Sequence, residues 1–233
     1  MRNWLTFNGV STKDFGVYIS GLNTFNAPER DVETISIKGK NGDLTIDNGR
    51  YKNLPLSYPA FIFDKFDVNI EGLRNFLLSQ RGYKRLEDTY HPKEYRLARY
   101  KGDVTVNPVD WLAAGEFDLN FDCYPQRFLK EGENSITYEE NSSIYNAYQP
   151  SKPLIRAYGT GYFVIGDYTV TISTADEYTD IDCELQECYK DTMATNCNNN
   201  VTLVDFPVIE NGVNSIIMSG ITRLDIIPRW WIL

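Results

Sequence analysis

Histidine and cysteine are scarce in this chain, with one His and four Cys in 233 residues. A single histidine removes the histidine-rich zinc sets, and four cysteines are too few to staple a chain long enough to build its own core. Cys123, Cys183, Cys188 and Cys197 are therefore expected as reduced thiols. The last three follow C-x4-C-x8-C, which is no standard zinc spacing, and no metal or other cofactor is called for. Long apolar runs are missing too: none approaches the ~20 residues that span a bilayer. The opening MRNWLTFNGVSTKDFG lacks the apolar segment of a secretory leader, so the expectation is a chain folded in a cytoplasm, with no membrane. Positive charge is in the minority, 23 Lys and Arg against 32 Asp and Glu, for a net −9. That balance works against binding phosphate backbones or anionic membranes. The nucleophile elbow, the phosphate loop and H-E-x-x-H are all absent.

Aromatic residues are abundant, with 16 Tyr and 12 Phe. Flat, stiff rings pack well on a pleated surface, so a mainly β protein is expected. Short strands and turns fill the first third: NWLTFNG, FGVYISGL, then VETISIKGKNGDLTIDNGRYKNL. Asn41-Gly42 and Asn48-Gly49 supply the positive φ that tight hairpins need. Ile35, Ile37, Leu44 and Ile46 alternate with polar residues, the period of a half-buried strand. One helix stands out in DVNIEGLRNFLLSQRGYKRL, where Asn69 can cap, Ile70, Leu73, Phe76 and Leu77 share a face, and Gly82 can end it. EYRLARYKGDVTV and GEFDLNFDCYPQRFL follow as strands. In the second, Phe117, Leu119, Phe121 and Cys123 point one way, and Pro125 is expected to limit it.

A texture rich in Glu, Asn, Ser and Pro follows, which places a domain boundary at Glu131 to Glu133 and divides the chain into residues 1–130 and 131–233. Beyond it, turn signals recur every ~8 to 12 residues, as in an antiparallel sandwich. Chemistry is thinly supported. His91 precedes Pro92 and is read as a solvated loop residue. The pairs Asp64 with Asp67 and Glu184 with Glu187 have the residue types of a glycosidase, yet such pairs arise by chance at this acidic composition. If DIDCELQECY is one strand, Cys183 and Cys188 face opposite sides. Tyr145, Tyr148, Tyr158 and Tyr162 have the chemistry of a carbohydrate platform, and core or subunit packing explains them equally well.

Five stretches, in order, resemble the distal tail proteins of long-tailed, non-contractile bacteriophages: FNGVSTKDFGVYI, APERDVETISIKGKNGDL, LRNFLLSQRGYKRLEDTYHPKEYRLARYKGDV, FDCYPQRFL and NGVNSIIMSGITRLDIIPRWWIL. The resemblance covers essentially the whole chain, and CELQECYKDTMATNCNNN follows it only loosely. It implies an N-terminal β-barrel-like (split-barrel) domain with one short helix and a C-terminal galectin-like β-sandwich. It also implies a non-enzymatic virion protein: a hexameric ring joining the tail tube to the adsorption apparatus, with a channel through which DNA passes unbound. Partners implied are further copies of the chain, in one ring or stacked rings, the tail tube protein, a tail-associated lysin or fibre protein, and receptor-binding or other adsorption proteins. The alternative is a module binding host cell-wall saccharide through the second domain. Lys38, Gly39, Lys40, Asn41, Gly42 and Asp43, at the tip of the first hairpin, are the candidate subunit or ring contact, and a solvated loop is the plainer reading of them. Leu224, Ile226, Trp230 and Trp231 are expected to be buried as a closing strand, with Arg229 keeping its guanidinium at the rim.

Overall fold

The computed structural model describes residues 2–20, 26–102 and 114–233, and the backbone alone of 106–109. Residues 21–22 and 103–105, the ends of two strands read from the sequence, lie outside the described residues. The chain forms two compact units, Met1–Arg127 with Leu233, and Phe128–Ile232.

The first unit contains β1 (Leu5–Phe7), β2 (Val10–Ser11), β3 (Val17–Ile19), β4 (Arg30–Ile35), β5 (Leu44–Tyr51), β6 (Leu54–Ile62), α1 (Phe66–Ser79), β7 (Lys84–Asp88), β8 (Glu94–Tyr100), β9 (Val106–Val109) and β10 (Ala114–Leu129). Its main sheet runs β2-β1-β7-β8-β10-β6-β3. Asn3, just ahead of β1, bridges Ile19 of β3, and the Ile19 N–H donates to the Asn3 carbonyl at 2.8 Å. The sheet has therefore curled until its two ends meet, which makes it barrel-like. The alternation read in β10 holds: Phe117, Leu119, Phe121 and Cys123 are buried opposite Ala60, Tyr58, Leu56 and Leu54 of β6. β10 does not stop at Pro125. Its ladder with β6 ends at Cys123 opposite Leu54, so the proline lies past the last rung and its missing N–H breaks no bond there.

α1 packs into the same core through Phe66, Ile70, Leu73 and Leu77. Phe76, half-buried, stacks on Phe15 and meets Phe7 edge-on. The helix begins earlier than its sequence signals suggest. Its N-cap is Lys65, with φ 50° and no side-chain cap, and Asn69 instead donates from its side chain to the Asp64 carbonyl at 2.9 Å. Phe66 fixes the start, because its ring lies over Gly115 of β10, where a Cβ would sit 2.1 Å from the ring. Burial of that ring, worth roughly 2 to 3 kcal/mol, outweighs a missing cap worth about 1.

The second unit contains β11 (Ile136–Tyr138), β12 (Ser142–Asn146), β13 (Leu154–Ile165), β14 (Tyr168–Ile172), β15 (Tyr178–Asp182), β16 (Glu187–Lys190), β17 (Thr192–Asn196), β18 (Val201–Leu203), β19 (Gly212–Ile227) and β20 (Trp231–Ile232). Its spine is the β13/β19 pair, whose register shifts at Gly159 to Tyr162 opposite Gly220 and Ile221. On one side of this corner β12 joins β19 while β14, with β18 beyond it, joins β13. On the other side β11 joins β19, and β15, β16 and β17 follow from β13. The result is a galectin-like antiparallel sandwich made by folding one sheet on itself. Glycine is required at the fold: a Cβ on Gly161 would lie 2.1 Å from the Ser219 carbonyl oxygen, and one on Gly220 2.4 Å from that of Thr160. Ile155, Ile181, Leu224 and Ile226 from one leaf and Phe163, Ile165, Val170 and Ile216 from the other share one core.

Leu224 and Ile226 are thus buried, but as part of the long β19 and not of a separate closing strand. Trp230 is buried against Gly132, whose absent Cβ would fall 2.3 Å from the Trp230 backbone nitrogen. Trp231 is only half-buried, and its indole N–H donates to the Pro150 carbonyl at 2.9 Å. Arg229 keeps its side chain 31% exposed. It forks onto Asp182 with Nη1–Oδ1 and Nη2–Oδ2 distances of 2.7 and 2.8 Å. Burial alone would raise the Asp182 carboxyl, but the Arg229 fork and the Leu185 and Glu184 N–H groups hold it below the usual carboxylate range.

Candidate functional site

Among the described residues, β4 and β5 form a two-stranded ribbon that pairs with neither main sheet. Its register sets Ile35 opposite Leu44, Thr34 opposite Thr45, Glu33 opposite Ile46 and Val32 opposite Asp47. Directly opposed residues share a face and successive ones alternate, so Ile35, Leu44 and Ile46 lie together with Glu33 at their margin. The tip carries Lys38, Gly39, Lys40, Asn41, Gly42 and Asp43, all exposed. Gly39 and Gly42 both have φ 83°, and the Lys40 N–H closes a turn onto the Ile37 carbonyl at 3.1 Å. Asn48-Gly49 is not a second turn. The partner of Val32 is Asp47 while that of Arg30 is Tyr51, so residues 48–50 form a bulge inside β5, closed by the Gly49 N–H on Asp47 Oδ1 at 2.8 Å.

Ion pairs hold the ribbon along its length: Arg30 Nη1 to Asp47 Oδ2 at 3.1 Å and Arg50 Nε to Asp31 Oδ2 at 2.7 Å. With Arg30, Asp47 and Arg50 all exposed, these pairs contribute little. The Arg50 guanidinium beside Asp31 holds that carboxyl below its ordinary value. The half-buried strand expected from the alternation is not found in the single chain. Val32, Ile35, Ile37, Leu44 and Ile46 are all between 38% and 46% exposed. An isolated two-stranded hairpin is marginal in water, and this one presents the apolar face that a third layer would cover.

The sequence-read sugar platform is dispersed. Tyr145, 67% exposed, sits opposite Val213, whereas Tyr162, 42% exposed, sits opposite Gly220. Seven residues of β19 separate those rungs, roughly 23 Å of extended strand. The Tyr158 ring has Tyr178 tilted against it at 5.4 Å and the Arg223 guanidinium over it at 4.8 Å, where a sugar would have to stack. Arg156 caps Tyr178 at 4.1 Å and forks onto Asp180, so this row is a stack of cations and rings that stiffens the leaf. Tyr148 packs on Trp230 and donates its hydroxyl to Glu131.

His91 is not a solvated loop residue. Its side chain is mostly buried, and Nδ1 lies 3.1 and 3.3 Å from the two Asp88 oxygens. The two residues line a narrow cleft with Tyr58, Glu94, Arg96 and Arg127. The one thiol beside this group is Cys123, and burial pushes it up to about 12, so it stays protonated at neutral pH. Glu184 meets Lys152 at 3.7 Å, while Glu187 accepts from Asn198 Nδ2 at 2.6 Å, so each acid of that pair has its own partner. Cys183 and Cys188 do not belong to one strand: β15 and β16 form a hairpin with residues 183–186 in its turn, and both thiols are buried. Among the described residues no group of His, Cys, Asp or Glu is placed to hold a metal ion, and no helix is long and apolar enough to cross a membrane.

No protein-family model matches the sequence, and no curated protein matches it either. Solved structures do match in fold. The Dit protein (gp 19.1) of SPP1, described as a hub of the adsorption apparatus of phages that infect Gram-positive hosts, aligns with TM-score 0.74 and 14% identity over 97% of this chain and 98% of that one. The baseplate of phage P2, in its activated conformation with Ca, aligns with TM-score 0.54 and 10% identity over 97% of each chain. The same baseplate with Sr gives 0.54 and 11% over the same share. At these identities the likeness defines the fold, and it takes in both units, barrel and sandwich.

Proposed function

We propose that this chain is the structural hub of a phage tail tip. Six copies close into a ring, alone or stacked on a second, that joins the tail tube protein to the adsorption apparatus and leaves a channel for DNA. The observation that carries the reading is the shared fold, over both units, with a protein described as an adsorption hub. The β4/β5 hairpin adds a physical reason to oligomerise. Its apolar face is open in the lone chain, and a neighbouring copy is the occupant that would cover it, with the tip residues Lys38 to Asp43 reaching the next subunit or ring. A net charge of −9 per chain suits a channel wall, because it repels the passing phosphates.

The second unit is the platform for a tail-associated lysin or fibre protein and for receptor-binding proteins. The hub acts through surfaces, without a catalytic step of its own. It resides in the virion at the tail tip after assembly in the host cytoplasm. Negative-stain images of the purified chain test this: ring-shaped particles are expected, and a chain that stays single at high concentration refutes it. A full-length chain that remains single and binds cell-wall saccharide would establish the carbohydrate-binding alternative.

A further inference from the structure

Two of the thiols in the second unit sit at the end of a strand pair, Cys188 in β16 and Cys197 just past β17. β16 and β17 pair Tyr189 with Asn196, and one rung further along the same register sets Cys188 opposite Cys197. The Cys197 N–H donates to the Cys188 carbonyl at 2.8 Å, which fixes the backbones at this rung. The Cys188 N–H does not return the bond and goes to Asn198 Oδ1 at 2.7 Å. Opposed residues of an antiparallel ladder have Cα atoms about 4.5 to 5.5 Å apart and side chains on one face. That separation falls inside the about 4.4 to 6.8 Å window of a disulfide. The two side chains do meet the same core: Cys188 is buried in it and Cys197, half-buried, packs against it.

We propose that Cys188 and Cys197 are the halves of a latent cross-strand disulfide that a small-molecule disulfide closes. Cys197 reacts first, being the one an oxidant can reach. Its thiol loses a proton and bonds to one sulfur of the small disulfide, and the other sulfur leaves as a thiol. The Cys188 thiol then loses its proton and attacks the Cys197 sulfur, expelling the second small thiol. Two protein thiols are oxidised to one disulfide, and one small disulfide is reduced to two thiols. Burial pushes the Cys188 thiol up to about 12, which makes the second step slow at neutral pH and fixes the order. Cys197 Sγ now donates to the Thr195 carbonyl at 3.6 Å, so closure requires a χ1 rotation there. The bond would enclose the whole of β17, a strand whose residues are all exposed, and tie it to the core.

The test is to incubate the full chain with oxidised glutathione under native conditions, alkylate the remaining thiols and map the peptides by mass spectrometry. A Cys188–Cys197 linked peptide is expected, with the four free thiols falling to two, and the Cys188→Ser variant should stop with glutathione on Cys197. Wild-type protein that keeps glutathione on Cys197 without closing, joins Cys197 to another cysteine, or leaves all four thiols free overturns the proposal. Should the serine variant fail to fold, the wild-type map decides alone.

Discussion

Replacing Ile35 by Asp and Ile46 by Lys puts the hairpin's part in assembly to a quantitative test. Both side chains stand on the open face, at 44% and 43% exposure. Full burial of such a side chain is worth about 1.5 to 3 kcal/mol, so covering the remaining part contributes roughly 0.7 to 1.3 each. The two substitutions forfeit about 2 kcal/mol of that cover. They also place two charges in the contact, whose desolvation adds a few kcal/mol if they find no partner. A loss of about 4 kcal/mol per contact weakens it by roughly a thousandfold. The cost inside the single chain is limited, because Ile46 lies opposite Glu33, so the new lysine gains an opposed carboxylate, and neither residue belongs to the core. On the same scale the already covered part of the two side chains, lost in the single chain too, bounds the fall in its thermal stability at about 2 to 3 kcal/mol. Sedimentation velocity over a concentration series reads the outcome: rings for the wild type, single chains for the variant at the same concentrations. A folded variant that assembles as readily as the wild type refutes the reasoning.

Three further outcomes follow from the second unit. Asp182→Ala strands Arg229 without its carboxylate and should cost about 2 to 4 kcal/mol in urea unfolding, below the figure for a fully buried pair since Arg229 keeps some contact with water. Because the folded Asp182 carboxyl is lowered, its contribution is complete above the unfolded value of about 3.9 and is lost as pH falls through the lower folded value. The gap in urea midpoint between wild type and Asp182→Asn should therefore narrow below about pH 4, and a gap that widens there contradicts the assignment. Gly161→Ala drives a Cβ into backbone at 2.1 Å and should cost about 3 kcal/mol or more, whereas Gly212→Ala, at φ 100° with nothing within 4 Å, should cost about 1. Equal melting temperatures for those two variants would remove the argument for the corner.

Much of the β content was legible because period-two alternation is a local signal. Phe117 to Cys123 and the Ile35 to Ile46 hairpin could be read without knowing their partners. The helix face was legible for the same reason, but its start was not. Phe66 opens α1 because Gly115, far along the chain, leaves room for its ring, and nothing near Phe66 announces that. The sandwich corner was missed likewise: Gly159, Gly161 and Gly220 look like ordinary turn glycines until two strands are laid side by side. His91 was misjudged because its partner, Asp88, completes a turn that only the fold reveals. The tyrosine platform failed for a geometric reason, since residue type says nothing of which rung a ring occupies. Burial was the quantity least accessible from sequence. Alternation in β4 and β5 gives the correct face, yet it cannot say whether the chain itself supplies the cover.

The folded spine of the second unit has a mechanical consequence. β13 and β19 run unbroken through both leaves, so tension applied at any strand of one leaf passes into the other along covalent main chain and in-register rungs. The leaves cannot be peeled apart at a loop. Separating them means opening the corner against the shared core while β13 and β19 stay paired, and a part that must stay rigid while loads are applied to its outer surface gains from that arrangement.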